Sequence, residues 1–396
     1  MTGASRDARP ATAQRDLVPD VLRGFALLGI IVVNVAYFAT DVANGLTGDA
    51  LVTMGDRIAA FLVHALALGK FYLLFSFLFG YATVYALKRG PEGVPRWKGR
   101  SRALLVFGAL HAVLLFIGDI LFIYGVLGLL LSPLLFAEPR RLRRVTWAAY
   151  GVGSGLLIAM VALLWLGEQQ GADVSTSVTT AYGALVQQGD ALAAVPARAS
   201  LWLQTLPFIV LVQGPIAFAA FLVGLRSARV GLLSGRAEGV RVGRWTAWGL
   251  GVGLPVQIAF AALWLANASS SAPREALAFG STVGSIVTAP LLSAGYLAVA
   301  VAVLRARPAL LSWLAPAGRW SLTTYLSQSV VLSLVFSGWG LGLYQRVPYG
   351  ATVLIAVAVA VGLSLLAALL APRLGKGPME RLLGRVTRAL TFGRSS

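Results

Sequence analysis

Apolar runs long enough to cross a membrane divide this chain almost from end to end. A helix needs roughly 20 apolar residues to span about 30 Å of hydrocarbon, and no water is present there to satisfy an irregular backbone. The pattern therefore predicts an all-α, polytopic integral membrane protein with about ten transmembrane helices. The runs lie at about 19–38, 56–88, 102–117, 120–136, 146–166, 201–225, 245–266, 278–304, 320–337 and 352–370.

The composition indicates lipid as the main solvent of this chain. Hydrophobic residues make up 58% of the 396 residues and charged residues 12%, and the mean hydropathy is +0.78. Soluble domains contain about twice that share of charged residues. The absence of cysteine excludes disulfides, thiolate metal sites and cysteine acyl intermediates. No Walker, GxGxxG or HExxH pattern is present, so no metal site is predicted.

The basic residues lie mainly in short loops on one side of the predicted bundle. The formal net charge is +18, from 33 Lys and Arg against 15 Asp and Glu. With the N-terminus inside, only five of the 33 fall on or near the outer side, namely Arg57, Lys70, Arg198, Arg274 and Arg346. This asymmetry is the positive-inside pattern of membrane proteins and does not indicate nucleic-acid binding. Both termini are therefore predicted to be cytoplasmic.

A single transmembrane domain, residues 19–371, is predicted between two basic cytoplasmic tails. We interpret residues 1–18 as a retained tail, because no small-residue cleavage site follows the first apolar run. Residues 372–396 form the second tail. The long outer loop, 167–200, is polar, and it either holds a short helix over the outer mouth or is an inert surface loop.

The second apolar run is too long for one straight span. Its 33 residues would extend about 50 Å at 1.5 Å per residue, so we predict a break near Gly69 and an interfacial or re-entrant piece before it. Lys70 follows the break, where it either snorkels to the outer interface or contributes to a polar route. His64 belongs to the interfacial piece and is expected to be a packing residue.

Polar side chains on the first run share one helical face. Charged groups within apolar runs are costly unless they face protein or a water-filled cavity. Arg23 and Asn34 differ by about 20° around a helix, and Asp20 lies about 60° from Arg23. The three are either a capping acid, a snorkelling arginine and a packing amide, or a charge pair at the inner mouth that opens into a polar track.

The segment LHAVLLFIGDILFIYG carries His111, Asp119 and Tyr124. Histidine has an ordinary pKa that allows proton transfer near neutral pH, although a histidine on an apolar helix is often a packing residue. Asp119 lies eight residues further on, about 12 Å along a straight helix, so contact is expected only if the chain turns before it. We predict a tight turn at Gly118 and Asp119, with Asp119 capping the next helix.

A polar stripe follows one face of the ninth run. Serine and threonine stripes often serve only helix packing, but a tyrosine and a glutamine on the same face are harder to explain that way. Arg319 lies at the inner end of the stripe, and Gln213 precedes a proline on the sixth run. The stripe consists of Ser321, Thr324, Tyr325 and Gln328.

The chain resembles the YeiB-like bacterial membrane family, which carries domain of unknown function 418. The resemblance runs from about residue 15 to residue 393, and His111, Gly118, Asp119 and Lys70 are motif positions. The motifs occur in the family's order: DVLRGFALLGIIVVNV, GKFYLLFSFLFG, LHAVLLFIGDILFIYG, APAGRWSLTTYLSQS and KGPMERLLGRVTRALTFG.

That family is similar to the transmembrane acyltransferases that include heparan-alpha-glucosaminide N-acetyltransferase. The shared element is chiefly the first-helix pattern D-x-x-R-G followed by Asn, here Asp20, Arg23, Gly24 and Asn34. The loop after the first helix, 39–55, contains no histidine, which is a departure from those enzymes. The resemblance implies a similar helical bundle in the bacterial plasma membrane.

It also implies transfer of an acyl group from cytosolic acyl-CoA, with acetyl-CoA the expected co-substrate and no resident cofactor. The acceptor, reached from the outer side, would be a sugar, a lipid-linked glycan or a metabolite. His111 and Asp119 are the expected catalytic residues. The residues expected to bind CoA or substrate are Asp20, Arg23, Asn34, Lys70, Tyr124, Gln213, Arg319, Tyr325 and Gln328.

A proton-coupled transporter or exporter of a small molecule is the alternative. In that case the polar faces would line a solute path, and His111 and Asp119 would carry protons. The lipid bilayer is the expected partner in both cases, and a homodimer is left open.

Overall fold

Helices account for nearly all of the described structure. The computed structural model describes residues 17–40, 51–171, 190–234 and 242–392, and no strand occurs within these ranges. The helices are α1 (Leu17–Ala39), α2 (Met54–Leu62), α3 (Lys70–Tyr81), α4 (Val84–Leu87), α5 (Gly93–Leu114), α6 (Leu121–Leu131), α7 (Pro139–Gln169), α8 (Ala194–Arg229), α9 (Val242–Trp248), α10 (Leu254–Ala268), α11 (Glu275–Ala306), α12 (Ala309–Ser312), α13 (Ala315–Arg319), α14 (Ser321–Phe336), α15 (Tyr349–Leu374) and α16 (Pro378–Phe392).

Seven helical stretches among these residues are long and apolar enough to cross a membrane. The predicted fold class, an all-α polytopic membrane protein, is therefore confirmed. The predicted count of ten exceeds seven by α5, whose first half is strongly basic, and by the shorter apolar helices α6 and α14. The seven are Leu17–Ala39, Met54–Leu87, Pro139–Gln169, Ala194–Leu211, Val242–Ala268, Glu275–Ala306 and Tyr349–Leu374.

The helices differ sharply in how much of their surface is covered by protein. In α1, 56% of the most apolar stretch is buried, whereas in α7 only 17% is. The exposed side of α7 carries large apolar side chains such as Ile158 and Leu163, which suit contact with lipid. Leu104 of α5, Leu127 of α6 and Leu322 of α14 belong to one core cluster with Leu27 of α1. Helices α5, α6 and α14 therefore each pack one side into the bundle core, while residues such as Leu110 of α5 and Leu334 of α14 remain exposed.

The second apolar run breaks at Gly69, as predicted. A π-helical turn, Val63–Ala67, follows α2, and Leu68 N donates to Val63 O at 2.9 Å. Gly69 then adopts φ +80°, a left-handed conformation that costs glycine little. Lys70 begins α3 directly after this turn, so the break determines where its side chain enters the bundle.

The C-terminal segment contains an ordered helix, α16, within the region predicted as a tail. Leu383 of α16 is buried, and Glu380 accepts hydrogen bonds from Leu322 N (2.8 Å) and Thr323 N (3.2 Å) at the start of α14. The segment is therefore bound to the bundle. Of the other predicted connecting regions, residues 1–16, residues 172–189 of the outer loop and residues 393–396 lie outside the described ranges.

Candidate functional site

His111 and Asp119 form a buried pair at the turn between α5 and α6. His111 Nδ1 lies 2.6 Å from Asp119 Oδ2, and the two side chains are 1% and 0% exposed. The straight-helix separation of about 12 Å does not apply, because α5 ends at Leu114 and Leu115 N and Phe116 N both donate to His111 O. Contact between the two residues is expected only if the chain turns before Asp119. The chain does turn there, and the contact forms.

The carboxylate of Asp119 is fixed from both sides. Its Oδ1 accepts a hydrogen bond from Phe122 N at 2.7 Å, which is the contact expected of a residue that caps the next helix. With Oδ2 on Nδ1 of His111, the carboxylate orients the imidazole ring and favours the tautomer protonated at Nδ1. The lone pair of Nε2 is then available to accept a proton.

Nε2 of His111 is buried and has no hydrogen-bond partner within the described residues. Buried polar atoms in folded proteins are nearly always paired, so an unpaired one calls for an explanation. The ring of Tyr325, with its centroid 5.1 Å away, packs against the imidazole. The Tyr325 hydroxyl is likewise buried, and its contact to the Ile120 backbone is a weak one.

A cavity of about 60 Å³ reaches Tyr325 from the other direction. This volume is enough for about four water molecules. Its deep end includes Ile120, which follows Asp119, and Tyr325, which packs on His111. His111 itself does not line the cavity, but Tyr325, which packs against its imidazole, does.

Two arginines lie at the shallow end of the cavity, Arg23 from α1 and Arg100 from α5. Arg100 is exposed, which shows that the cavity opens to the surface there, and its guanidinium carbon lies 6.0 Å from the centre of the Phe79 ring. We call this end of the bundle, where α1 and α5 begin, the basic face. The cavity therefore leads from two cations through an apolar passage to the side of Tyr325.

The D-x-x-R-G sequence of α1 forms a charge pair and also allows close packing against α13. Arg23 Nη1 lies 3.0 Å from Asp20 Oδ1, so the predicted pair forms. A Cβ added at Gly24 would overlap the carbonyl oxygen of Leu314, and one at Gly318 would overlap that of Asp20. The two glycines allow α1 and α13 to approach backbone to backbone, which places Arg23 at the cavity.

Tyr124 lines the same cavity, but its hydroxyl is fully engaged in the wall. The hydroxyl lies 2.7 Å from Ser76 Oγ and donates to Tyr72 O at 3.1 Å. The ring packs edge-on against Phe79 and Phe221. Tyr124 therefore shapes the cavity, and its polar atom is directed into the protein.

Four other predicted binding residues lie apart from the cavity. Gln213 and Arg319 are exposed, so their polar groups lie at the surface of the bundle and not in its interior. Gln328 is buried and donates to Leu27 O at 3.3 Å. Asn34 is half-buried on α1 and does not line the cavity. The predicted polar track along α1 and α14 therefore stops at Tyr325.

Lys70 belongs to a second buried group, so of its two predicted placements the one at the outer interface does not hold. Its side chain is 0% exposed. Nζ donates to His64 O at 2.8 Å and to Ser285 Oγ at 3.0 Å, and Ser285 Oγ donates to Gln257 Oε1 at 2.6 Å. We call Lys70, His64, Ser285 and Gln257 the Lys70 cluster. The break at Gly69 places Lys70 at the start of α3 with its amine turned inward.

Arg100 is the site residue that the sequence reasoning missed. Its position before the third apolar run predicts a basic loop, whereas α5 begins at Gly93 and includes it. The signal was available, because residues 100 and 111 differ by about 20° around a helix. Arg198 was also missed: it is buried and donates to Val113 O (3.3 Å) and Leu114 O (2.7 Å) at the end of α5.

The comparisons with known proteins agree on one family. A family model described as "Protein of unknown function (DUF418)" matches residues 227–392. The uncharacterised protein YeiB of Escherichia coli (strain K12) is 26% identical over 353 residues, covering 84% of this chain and 86% of YeiB. No solved structure matches the chain.

The similarity to a second relative extends over most of both chains and decides the family. The uncharacterised protein YxaH of Bacillus subtilis (strain 168) is 31% identical over 378 residues, which is 88% of each chain. The aligned length exceeds the matched C-terminal part, so the likeness is not confined to that part. The protein therefore belongs to the YeiB-like family of membrane proteins with domain of unknown function 418.

Proposed function

We propose that the protein is a membrane acyltransferase in which His111 acts as the general base. The observation that carries the proposal is the contact of 2.6 Å between His111 Nδ1 and Asp119 Oδ2, with Nε2 left unpaired. A histidine oriented by a buried carboxylate through one nitrogen presents the other to a substrate proton. This arrangement recurs in acyl-transfer enzymes of unrelated folds.

The reaction takes a nucleophilic hydroxyl or amine as acceptor. Its proton passes to Nε2 of His111 while its oxygen or nitrogen forms a bond to the acyl carbon. The bond between the acyl carbon and sulfur of acyl-CoA then breaks, and the thiolate of CoA takes the proton from the imidazolium. No metal or oxidant is required, and the imidazolium is stabilised by Asp119.

The basic face supports acyl-CoA as the donor. Phosphates bind guanidinium groups through charge-assisted, often bidentate hydrogen bonds, and Arg23 and Arg100 stand at the cavity mouth. The apolar passage beyond them suits a thioester arm. Transfer also requires a path from the cavity to His111, which does not line it, and we infer that the adjacent Tyr325 ring turns aside to open that path.

We place the basic face in the cytoplasm of a bacterial cell, with both termini on that side and the acceptor reached from the other side. The charge asymmetry of the loops supports this orientation. The acceptor would be a sugar, a lipid-linked glycan or a secreted metabolite. Acetyl-CoA is the donor with which to begin.

The test uses acetyl-CoA and the full-length protein in membranes that retain native lipids and glycans. Release of the CoA thiol is measured with a thiol reagent, to which this chain contributes no background because it lacks cysteine. Arg100→Gln should raise KM for acetyl-CoA about tenfold or more, since a hydrogen bond to a charged group contributes about 1.5–3 kcal/mol.

The matched control is Arg141→Gln, which removes an exposed arginine from the first turn of α7. Its KM should equal that of the wild type. The proposal fails if membranes with the protein release no more thiol than membranes without it. It also fails if the two arginine variants behave alike.

Proton-coupled transport of a small molecule is the second candidate. One observation favours it, the fully buried Lys70 beside the π-helical turn Val63–Ala67, because intramembrane ionisable groups often mark ion paths. Transport predicts uptake into proteoliposomes that depends on a proton gradient and is unaffected by CoA. Acyl transfer predicts thiol release without any gradient.

A further inference from the structure

Helix α16 presents two chemically different sides. Leu383 and Thr387 are buried against the bundle. Arg381, Arg385 and Arg388 are exposed and follow i, i+4 and i+7, which places them within about 60° of one another on the opposite side of the helix. The outward side of α16 is therefore a continuous cationic stripe.

The neighbouring part of α5 extends this positive surface. α16 packs against the start of α5, where Gly99 meets Thr391. Arg96, Lys98 and Arg102 of α5 are exposed. The one acidic residue of α16, Glu380, is turned inward and accepts hydrogen bonds from α14, so it does not offset the stripe.

An exposed leucine stands beside the arginines. Leu382 is 42% exposed and lies about 60° from Arg385 around the helix. An arginine stripe flanked by an exposed leucine suits the interface of a bilayer, where the leucine enters the acyl boundary and the arginines meet headgroups. A soluble polyanion would use the arginines alone. The charge and the leucine together favour a membrane surface that carries negative charge.

We propose that α16 is a binding site for anionic lipid headgroups and that its docking keeps the cavity mouth closed on one side. The closing contact is Leu383, which forms part of the cavity wall. Glu380 adds a clamp, because its Oε2 also accepts from Thr323 Oγ1 at 2.6 Å. α14, which the clamp holds, carries Tyr325 two residues later. Release of α16 would open the wall and loosen the helix that bears Tyr325.

The first experiment measures hydrogen exchange of the α16 amides in the full-length protein. Nanodiscs of phosphatidylcholine are compared with nanodiscs in which about one third of the lipid is phosphatidylglycerol. Exchange should be about tenfold slower in the anionic discs, since each arginine near such a surface adds attraction. The triple variant Arg381→Gln, Arg385→Gln, Arg388→Gln should lose this difference.

A control variant removes the same charge elsewhere. Arg141→Gln, Arg143→Gln, Arg144→Gln replaces three exposed arginines of α7 and should keep the slower exchange in anionic discs. Equal exchange of wild-type α16 in the two lipids overturns the proposal. So does equal loss in both triple variants. If soluble tripolyphosphate protects α16 in phosphatidylcholine discs as strongly, the partner is a soluble polyanion and the lipid assignment is wrong.

The second experiment tests the closing contact. The chain has no cysteine, so Leu383→Cys introduces a single thiol, and a neutral maleimide reports its accessibility. Labelling should be slower in anionic discs than in phosphatidylcholine, while Ser234→Cys, at an exposed position, should label equally in both. Equal labelling of Leu383→Cys contradicts the closure. Neither readout uses enzymatic activity, so these failures are distinct from failure of the proposed acyl transfer.

Discussion

The two buried histidines of this chain stand in contrasting surroundings. His111 has a carboxylate on Nδ1 at 2.6 Å and packs on Tyr325, a residue of the cavity wall. His64 has a longer contact of 3.4 Å to Thr282 Oγ1 and stacks on Trp264 with ring centroids 5.1 Å apart. Both are 3% exposed, so burial alone does not distinguish them.

The difference lies in what each group holds in place. The Lys70 cluster joins α3, α10, α11 and the π-helical turn through hydrogen bonds between its own members. The pair of His111 and Asp119 is joined to one helix end and leaves an acceptor atom unused. The first group is satisfied by its own hydrogen bonds, whereas the second leaves an acceptor atom for the chemistry that we propose.

The largest effect on stability is expected from Lys70→Ala. It removes the donor to His64 O and Ser285 Oγ and leaves a cavity, which together should cost about 3–5 kcal/mol of unfolding free energy. Denaturant unfolding in detergent micelles measures this. Lys88→Ala, at an exposed lysine, is the control and should change stability by less than about 0.5 kcal/mol. Equal losses would mean that Lys70 does not stabilise the cluster.

A smaller loss is expected from Arg198→Ala. This buried arginine donates to Val113 O and Leu114 O, the last carbonyl groups of the helix that carries His111. Removing it should cost about 2 kcal/mol, because both carbonyls lose a charged donor. Arg274→Ala, at an arginine 52% exposed, should cost much less. If Arg198→Ala unfolds at the wild-type denaturant concentration, the end of α5 is held by other contacts.

The smallest effects compare two tyrosines of the cavity wall. Tyr124→Phe removes a hydroxyl bonded to Ser76 and Tyr72 and should cost about 1 kcal/mol. Tyr325→Phe removes a buried hydroxyl that makes only a weak contact to the Ile120 backbone and should cost clearly less than Tyr124→Phe. The same unfolding measurement ranks them. A reversed order would show that the Tyr325 hydroxyl, and not that of Tyr124, supports the wall.

Much of the fold was readable from the sequence because its cause is local. Apolar runs indicate which segments contact lipid, and basic loops indicate which contact water. The break at Gly69 follows because the second run is too long for one straight span. The packing of α16 was not readable. The many arginines of this segment predict a solvated tail. The structure instead shows that Leu383 is buried and that Glu380 bonds to α14, so the segment is attached to the bundle.

The site was readable in its residues but not in its contacts. His111 and Asp119 were chosen for their chemistry, yet their meeting depends on a turn whose geometry is set by Leu115 and Phe116 bonding back to His111 O. The sequence leaves Lys70 between the interface and the interior, because a long flexible side chain can point either way from a helix start. Gln213 was misplaced because the proline after it does not turn its side chain inward.

The most direct measurement of the central claim is the rate of CoA thiol release from acetyl-CoA by His111→Asn and His64→Asn, side by side. The asparagine amide at position 111 can keep a hydrogen bond to Asp119 while removing the Nε2 base. We expect His111→Asn to lose activity about a hundredfold or more and to remain folded. We expect His64→Asn to keep most of its activity. Equal rates in the two variants would contradict the assignment of chemistry to His111.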